Sequence, residues 1–285
     1  MSSAKPLSAP RSSELLARVV SGAIMILAAL TALWIGGVTF VLFWTLCAMA
    51  VVFEWQTLID APQRWARVAV GALGIAAAVV GLLSGYSEVA LGSVIVGALA
   101  AAGLAGPGKR AWAASGVVYA GALALSVVLL RVVAALDGVE AILWLFALVW
   151  GTDIMAYFGG RTIGGPKLWP RVSPSKTWSG FIVGVTCGAL LGVGAVALTL
   201  GGPNVSLGMI FLLGLVGGAI AQGGDLMESS VKRHFGVKDS SQLIPGHGGF
   251  MDRLDGFIAT ATFAAIVGLA KAAGPGFVAT GLLRW

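Results

Sequence analysis

Asp252 and Asp255 stand three residues apart in His247-Gly248-Gly249-Phe250-Met251-Asp252-Arg253-Leu254-Asp255-Gly256, just ahead of an apolar run. On a helix they share a face, where two carboxylates repel and gain nothing from burial beside lipid unless a cation neutralises them. Oxygen-only ligands select a hard ion, Mg²⁺ above all, rather than zinc. The preceding glycines let backbone N–H groups approach an anion closely. Upstream, Asp225, Ser229 and Lys232 fall at i, i+4 and i+7, one stripe if the apolar run before them continues as a helix. A carboxylate, a hydroxyl and an ammonium on one stripe suit a metal-phosphate site; the plainer alternative is a juxtamembrane helix carrying a solvated ion pair. Lys232, Arg233, Lys238 and Arg253 read as phosphate partners, Arg through a bidentate grip and Lys as a point charge. His247 is either a phosphate donor or a turn residue between glycines, and His234 receives no role.

A second group lies upstream. Asp153 sits inside the apolar run 139–159, where an ionisable residue is functional by default. Ser175, Lys176 and Thr177 precede a helix start, a natural anion site. Gly160 to Lys167 echoes a phosphate-binding loop, but Gly-Pro-Lys-Leu replaces Gly-Lys-Ser/Thr and no strand precedes it, so an ATPase is excluded.

These groups need a scaffold, and composition dictates its kind. The chain is 58% hydrophobic and only 11% charged, with a mean hydropathy of +0.94. Nine apolar runs near bilayer-spanning length occur at about 19–37, 38–54, 68–85, 89–106, 112–130, 139–159, 179–200, 206–224 and 257–273. The expected fold is an all-α polytopic membrane protein of about nine transmembrane helices with a cytoplasm-facing active site. Only Ile35-Gly36-Gly37-Val38 separates the first two runs, and fusing them as one re-entrant unit leaves eight spans. With the N-terminus inside, fifteen of the 18 Lys and Arg residues fall on the cytoplasmic side and three (Arg131, Lys271, Arg284) outside, as the positive-inside rule requires. The same distribution accounts for the net charge of +6 without a nucleic-acid partner.

The chain divides into a cytoplasmic tail at 1–18, read as a tail rather than a signal peptide, N-terminal transmembrane helices at 19–138 and a C-terminal catalytic region at 139–285. Both polar stretches, Gly160–Trp178 and Asp225–Asp255, open at the same membrane face. Cys47 and Cys187 each stand alone in an apolar run and read as reduced packing residues. Gly180, Gly184, Gly188 and Gly192 form a flat stripe, either for packing within the chain or as the face of a homodimer.

The polar residues resemble those of the phosphatidate cytidylyltransferase family, also called CDP-diacylglycerol synthases. The family signature is filled in order by Ser229, Val231, Lys232, Arg233, Lys238, Asp239, Ile244, Pro245, His247, Gly248, Gly249, Phe250, Asp252, Arg253, Leu254 and Asp255. Asp225 and Val172-Ser173-Pro174-Ser175-Lys176-Thr177-Trp178 also look like family features. The strong resemblance covers about 155–256 and departs at Gly256, where a small hydroxyl residue is expected.

The resemblance implies transfer of CMP from CTP to phosphatidic acid in phospholipid biosynthesis, at the inner face of a bacterial-type cytoplasmic membrane. It implies Asp252 as the central metal ligand, with Asp255 and Asp225 completing the site around Mg²⁺ and a second cation left open. Lys232, Arg233, Lys238 and Arg253 would hold the triphosphate or the lipid headgroup, Ser229 and His247 would donate to phosphate, and Asp153, Ser175 and Lys176 would line the pocket.

Three rivals share parts of the pattern. Another CTP-dependent lipid cytidylyltransferase or kinase would share fold and ions without the full signature. A CDP-alcohol phosphotransferase would continue Asp-x-x-Asp-Gly with Ala-Arg and further aspartates, whereas here Ala259-Thr260 follows the motif and no aspartate comes later. A transporter would place its charges at the bilayer midplane.

Overall fold

The computed structural model describes residues 12–133, 137–200, 204–244, 248–272 and 274–285. His247 and the start of the N-terminal tail lie outside these residues. The described chain is helical almost throughout: α1 (Ser12–Ile35), α2 (Gly37–Leu58), α3 (Arg64–Leu83), α4 (Ser87–Leu104), α5 (Arg110–Val128), α6 (Gly138–Thr162), α7 (Trp178–Thr199), α8 (Leu207–His234), α9 (Met251–Lys271) and the short α10 (Val278–Leu283). Among the described residues nine helices are long and apolar enough to cross a membrane. Leucines and valines of α3 and α4 such as Leu73, Val80, Leu91 and Leu99 are exposed, a surface suited to lipid rather than water.

The first two spans are separate helices. Gly36 breaks them at φ 68°, in the left-handed region that glycine enters without strain. A Cβ there would also lie 2.6 Å from the Arg131 guanidinium. The nine-span reading therefore replaces the eight-span alternative.

Two polar stretches are more ordered than loops. α8 runs 28 residues, about 42 Å at 1.5 Å per residue, longer than the ~30 Å hydrocarbon core. Its last turns carry Asp225 to His234 as helix, not loop. Between α6 and α7 the chain forms a small antiparallel hairpin, β1 (Lys167–Trp169) and β2 (Ser173–Thr177), pairing Lys167 with Thr177 and Trp169 with Ser173. Thr177 ends β2 and caps α7, its Oγ1 accepting from Gly180 N at 3.1 Å.

Small residues set how closely the site helices approach. The α7 glycine stripe faces α6: a Cβ on Gly184 would meet Ala156 Cβ at 2.7 Å, and one on Gly188 would meet Thr152 Oγ1 at 2.2 Å. The stripe is thus used within the chain and is not a free dimer face. On α8, Gly224 would meet Asp255 O of α9 at 2.7 Å, a close crossing that brings Asp225 beside Asp255. Gly256, where the family resemblance had called for a hydroxyl, faces Ala221 O, 3.1 Å from a built Cβ. Its backbone N–H instead donates to Asp255 Oδ1 at 2.7 Å.

At the opposite end a polar clasp ties the C-terminus down. Arg284 pairs with Asp137 at 2.7 Å, and Trp285 N donates to Asn204 O at 2.7 Å. The bonded Arg284 guanidinium holds the Asp137 carboxyl below the usual carboxylate range. The ends of α6, α8 and α9 that lack the site residues are gathered here, so the bundle is closed at one end and open at the other.

Candidate active site

The open end contains a cavity of about 910 Å³. Asp153, Arg161, Lys167, Ser175, Lys176, Gln222, Asp225, Asp252, Arg253 and Asp255 are among its polar lining, and Phe43, Trp44, Phe146, Trp150 and Phe257 among its apolar lining. The aromatic residues stack: Trp44 lies on Phe257 with centroids 4.9 Å apart, and Phe146 on Trp150 at 4.6 Å. Gly22, Met25 and Ala29 of α1 complete the wall. The N-terminal helices therefore contribute to the site as well as the catalytic region.

Helices α6 and α8 present one carboxylate each to the cavity, Asp153 and Asp225, and α9 presents two, Asp252 and Asp255. Lys176 from β2 reaches Asp225 Oδ2 at 2.6 Å and Gln222 Oε1 at 3.0 Å. Gln222 Nε2 in turn donates to Asp153 Oδ1 at 3.4 Å, and Ser229 Oγ donates to Asp225 Oδ1 at 3.3 Å. Asp255 feels the fields of both Asp225 and Asp153. Asp255 also lies near the N-terminus of α9, where the helix dipole favours negative charge. Asp153, Asp225 and Asp255 thus stand near the Lys176 ammonium, with Arg161, Lys167 and Arg253 also lining the cavity, and every candidate ligand is oxygen, the donor chemistry of a hard divalent cation.

Among the described residues no three acidic, histidine or cysteine side chains converge as a ready metal cage.

Asp252 is differently engaged. Its Oδ1 takes the Lys232 ammonium at 2.7 Å, and its Oδ2 accepts from Gly249 N at 2.8 Å and Ser240 N at 3.1 Å. Lys232 also meets Glu228 Oε2 at 2.7 Å. Glu228 is fully buried, and the ammonium is the group that makes its burial tolerable. Lys232, expected from sequence as a phosphate partner on the Asp225 stripe, is shared between two carboxylates behind the site.

The structure brings together Asp153, Ser175, Lys176, Asp225, Asp252, Arg253 and Asp255 at one cavity. Ser229 and Lys232 stand behind it, bonded to Asp225 and Asp252. Arg233 and Lys238 are exposed, and Arg233 donates to Val237 O at 3.1 Å; neither lines the cavity. His234 stacks on Trp112 at 4.9 Å.

Sequence reasoning missed Gln222, Glu228 and Glu54. Gln222 precedes Asp225 by three residues and shares its helical face. Glu54 is a lone carboxylate in an apolar run, and the rule that singled out Asp153 applies to it equally.

A profile described as the Cytidylyltransferase family matches residues 16–270. A phosphatidate cytidylyltransferase of Brucella abortus biovar 1 (strain 9-941) is 40% identical over 260 residues, covering 90% of this chain and 94% of that protein. One of Staphylococcus haemolyticus is 45% identical over 122 residues, 43% of this chain and 46% of that protein. The Brucella similarity takes in the N-terminal helices, where the resemblance read from the residues had rested on length and hydropathy alone.

Proposed function

The chain belongs to the cytidylyltransferase family, and from that premise we propose that it is an integral membrane phosphatidate cytidylyltransferase, transferring CMP from CTP to phosphatidic acid to give CDP-diacylglycerol and pyrophosphate. The observation that carries the reading is the mixed lining of one cavity. Its carboxylates and cations suit phosphates, and its aromatic and apolar residues suit the glycerolipid. A phosphate oxygen of the lipid forms the new bond to the α-phosphorus of CTP. The bond from that phosphorus to the bridging oxygen breaks, and its electron pair leaves with pyrophosphate.

The lipid phosphomonoester, with a second pKa near 6, is largely ionised at neutral pH and needs no general base. The protein's task is to position two polyanions and offset their repulsion. Lys176 and Arg253 line the cavity where phosphate would sit, Ser175 lies on β2 two residues before the N-cap of α7, and Asp252 with Lys232 orders Ser240 and Gly249 beside it. Asp225 and Asp255 would hold Mg²⁺, with Asp252 at the edge of the same donor set. The ion would supply charge neutralisation at the reacting phosphates.

The site opens at the end of the bundle to which charge assigns the cytoplasm, fifteen cations against three. Phosphatidate at headgroup depth and cytosolic CTP can meet there, in the inner membrane.

Purified protein given CTP, Mg²⁺ and phosphatidate should release pyrophosphate and form CDP-diacylglycerol in equal amounts, and chelation should stop both. CTP consumption with a polyprenol, or none with phosphatidate, would replace this reading with a rival.

Orientation has its own test. Gln242→Cys, at an exposed position, should react with an impermeant thiol reagent only in inside-out vesicles and be shielded by CTP. Ser84→Cys, exposed in the α3–α4 turn, should react only in right-side-out vesicles. Labelling of both from one face would refute the topology. Position 241 is unsuitable because Ser241 Oγ is bonded to Glu54 at 2.6 Å.

A further inference from the structure

Glu54, on α2, is fully buried and, among the described residues, forms no ion pair. Its carboxylate is satisfied instead by four donors. Ser241 Oγ and Phe250 N reach Oε1 at 2.6 and 2.8 Å, while Ser240 Oγ and Met251 N reach Oε2 at 3.2 and 2.7 Å. All four belong to one stretch, 186 to 197 residues away along the chain. Phe250 and Met251 open α9, so the negative charge sits on the positive end of that helix. A buried charge held only by hydrogen bonds is strongly unfavourable once any donor is lost, which makes the arrangement rigid.

The same stretch serves Asp252. Ser240 sends its hydroxyl to Glu54 and its N–H to Asp252; Gly249 N–H goes to Asp252, and the next two N–H groups go to Glu54. A Cβ on Gly249 would lie 1.9 Å from Ser240 Oγ and 2.6 Å from Glu54 Oε1, so the pieces meet without slack. Two carboxylates therefore share the donors of Ser240 and 249–251, Asp252 of α9 lining the cavity and Glu54 of α2 outside its lining.

We propose that Glu54 is a positioning residue for cytidylyl transfer: it fixes residues 240–241 and 249–251, and through them sets the Asp252 carboxylate and its Lys232 partner against the substrate phosphates. This rests on the transferase reading above. An ordinary helix cap would stabilise α9 with no bearing on the chemistry.

Glu54→Gln separates the two roles. Gln keeps the size but turns one acceptor oxygen into an NH₂ aimed at donors. The variant should lose about a hundred-fold in kcat, the scale of a 1 Å misplacement, with KM for CTP and phosphatidate changed by less than about threefold. Hydrogen exchange should quicken about tenfold across 240–251, leaving α6 and α7 as in the wild type. Glu54→Asp, which restores the charge, should recover part of both.

Unchanged exchange in 240–251, or reduced yield with full turnover per folded molecule, would overturn the proposal. Should Glu54→Gln not fold, Ser241→Ala removes a single donor; kcat equal to wild type in that variant would overturn it too. Wild-type protein that releases no pyrophosphate would sink the transferase reading, while the exchange comparison would still report whether Glu54 orders the segment.

Discussion

Asp252→Asn should turn over CTP at no more than about one-hundredth of the wild-type kcat/KM, a loss near 3 kcal/mol. The reason lies in what the carboxylate receives. Lys232, Ser240 and Gly249 all donate to it, and an amide has a single acceptor oxygen for them. Its NH₂ must face either the ammonium or the backbone N–H pair. Lys232 would then be left with Glu228, and the segment carrying Gly249 would lose an anchor. The substitution also removes charge from the proposed metal site, so its two consequences act in the same direction. Pyrophosphate release at matched amounts of folded protein measures the loss. Activity above about a tenth of wild type would show that Asp252 neither orders the site nor serves a cation.

Lys176→Met is the second large effect, and it splits into opposite signs. Lys176 lies against Asp225 at 2.6 Å, with Gln222 linking it to Asp153. Without the ammonium, kcat/KM for CTP should fall by about two orders of magnitude, because a phosphate-facing charge is gone. The Mg²⁺ concentration for half-maximal activity should nevertheless fall, because the carboxylates keep their full negative field. A variant that lost activity and also needed more Mg²⁺ would contradict the assignment of Lys176 as the counter-charge of this acidic set.

Arg110→Gln provides the control. Arg110 is exposed at the start of α5 and serves topology alone, so its neutralisation should change kcat/KM less than about threefold. Lys109 would be a poorer control. Its ammonium donates to Ile59 O at 2.9 Å and lies over the Phe235 ring at 4.7 Å, so removing it would disturb packing between helices.

Hydropathy and motif spacing were sufficient for eight or nine spans and for Asp153, Ser175, Lys176, Asp225, Asp252, Arg253 and Asp255 as candidates that meet at one cavity; the break at Gly36 decided for nine. These signals are local. A bilayer demands some 20 apolar residues per helix whatever surrounds it, and helical spacing puts i, i+3 and i+4 on one face in any context. What lay beyond reach was the pairing. Lys232 was legible as a cation, but its division between Glu228 and Asp252 depends on how α8 crosses α9. The glycine stripe of α7 was legible as a packing surface, but only the structure turned it toward α6. Gln222 as a bridge, α1 as a cavity wall and Glu54 as the acceptor for a segment 186 to 197 residues distant all follow from helices packed to within contact of small residues. Buried polar groups must find partners wherever packing leaves them; the sequence names those groups, and only the assembled bundle decides which of them meet.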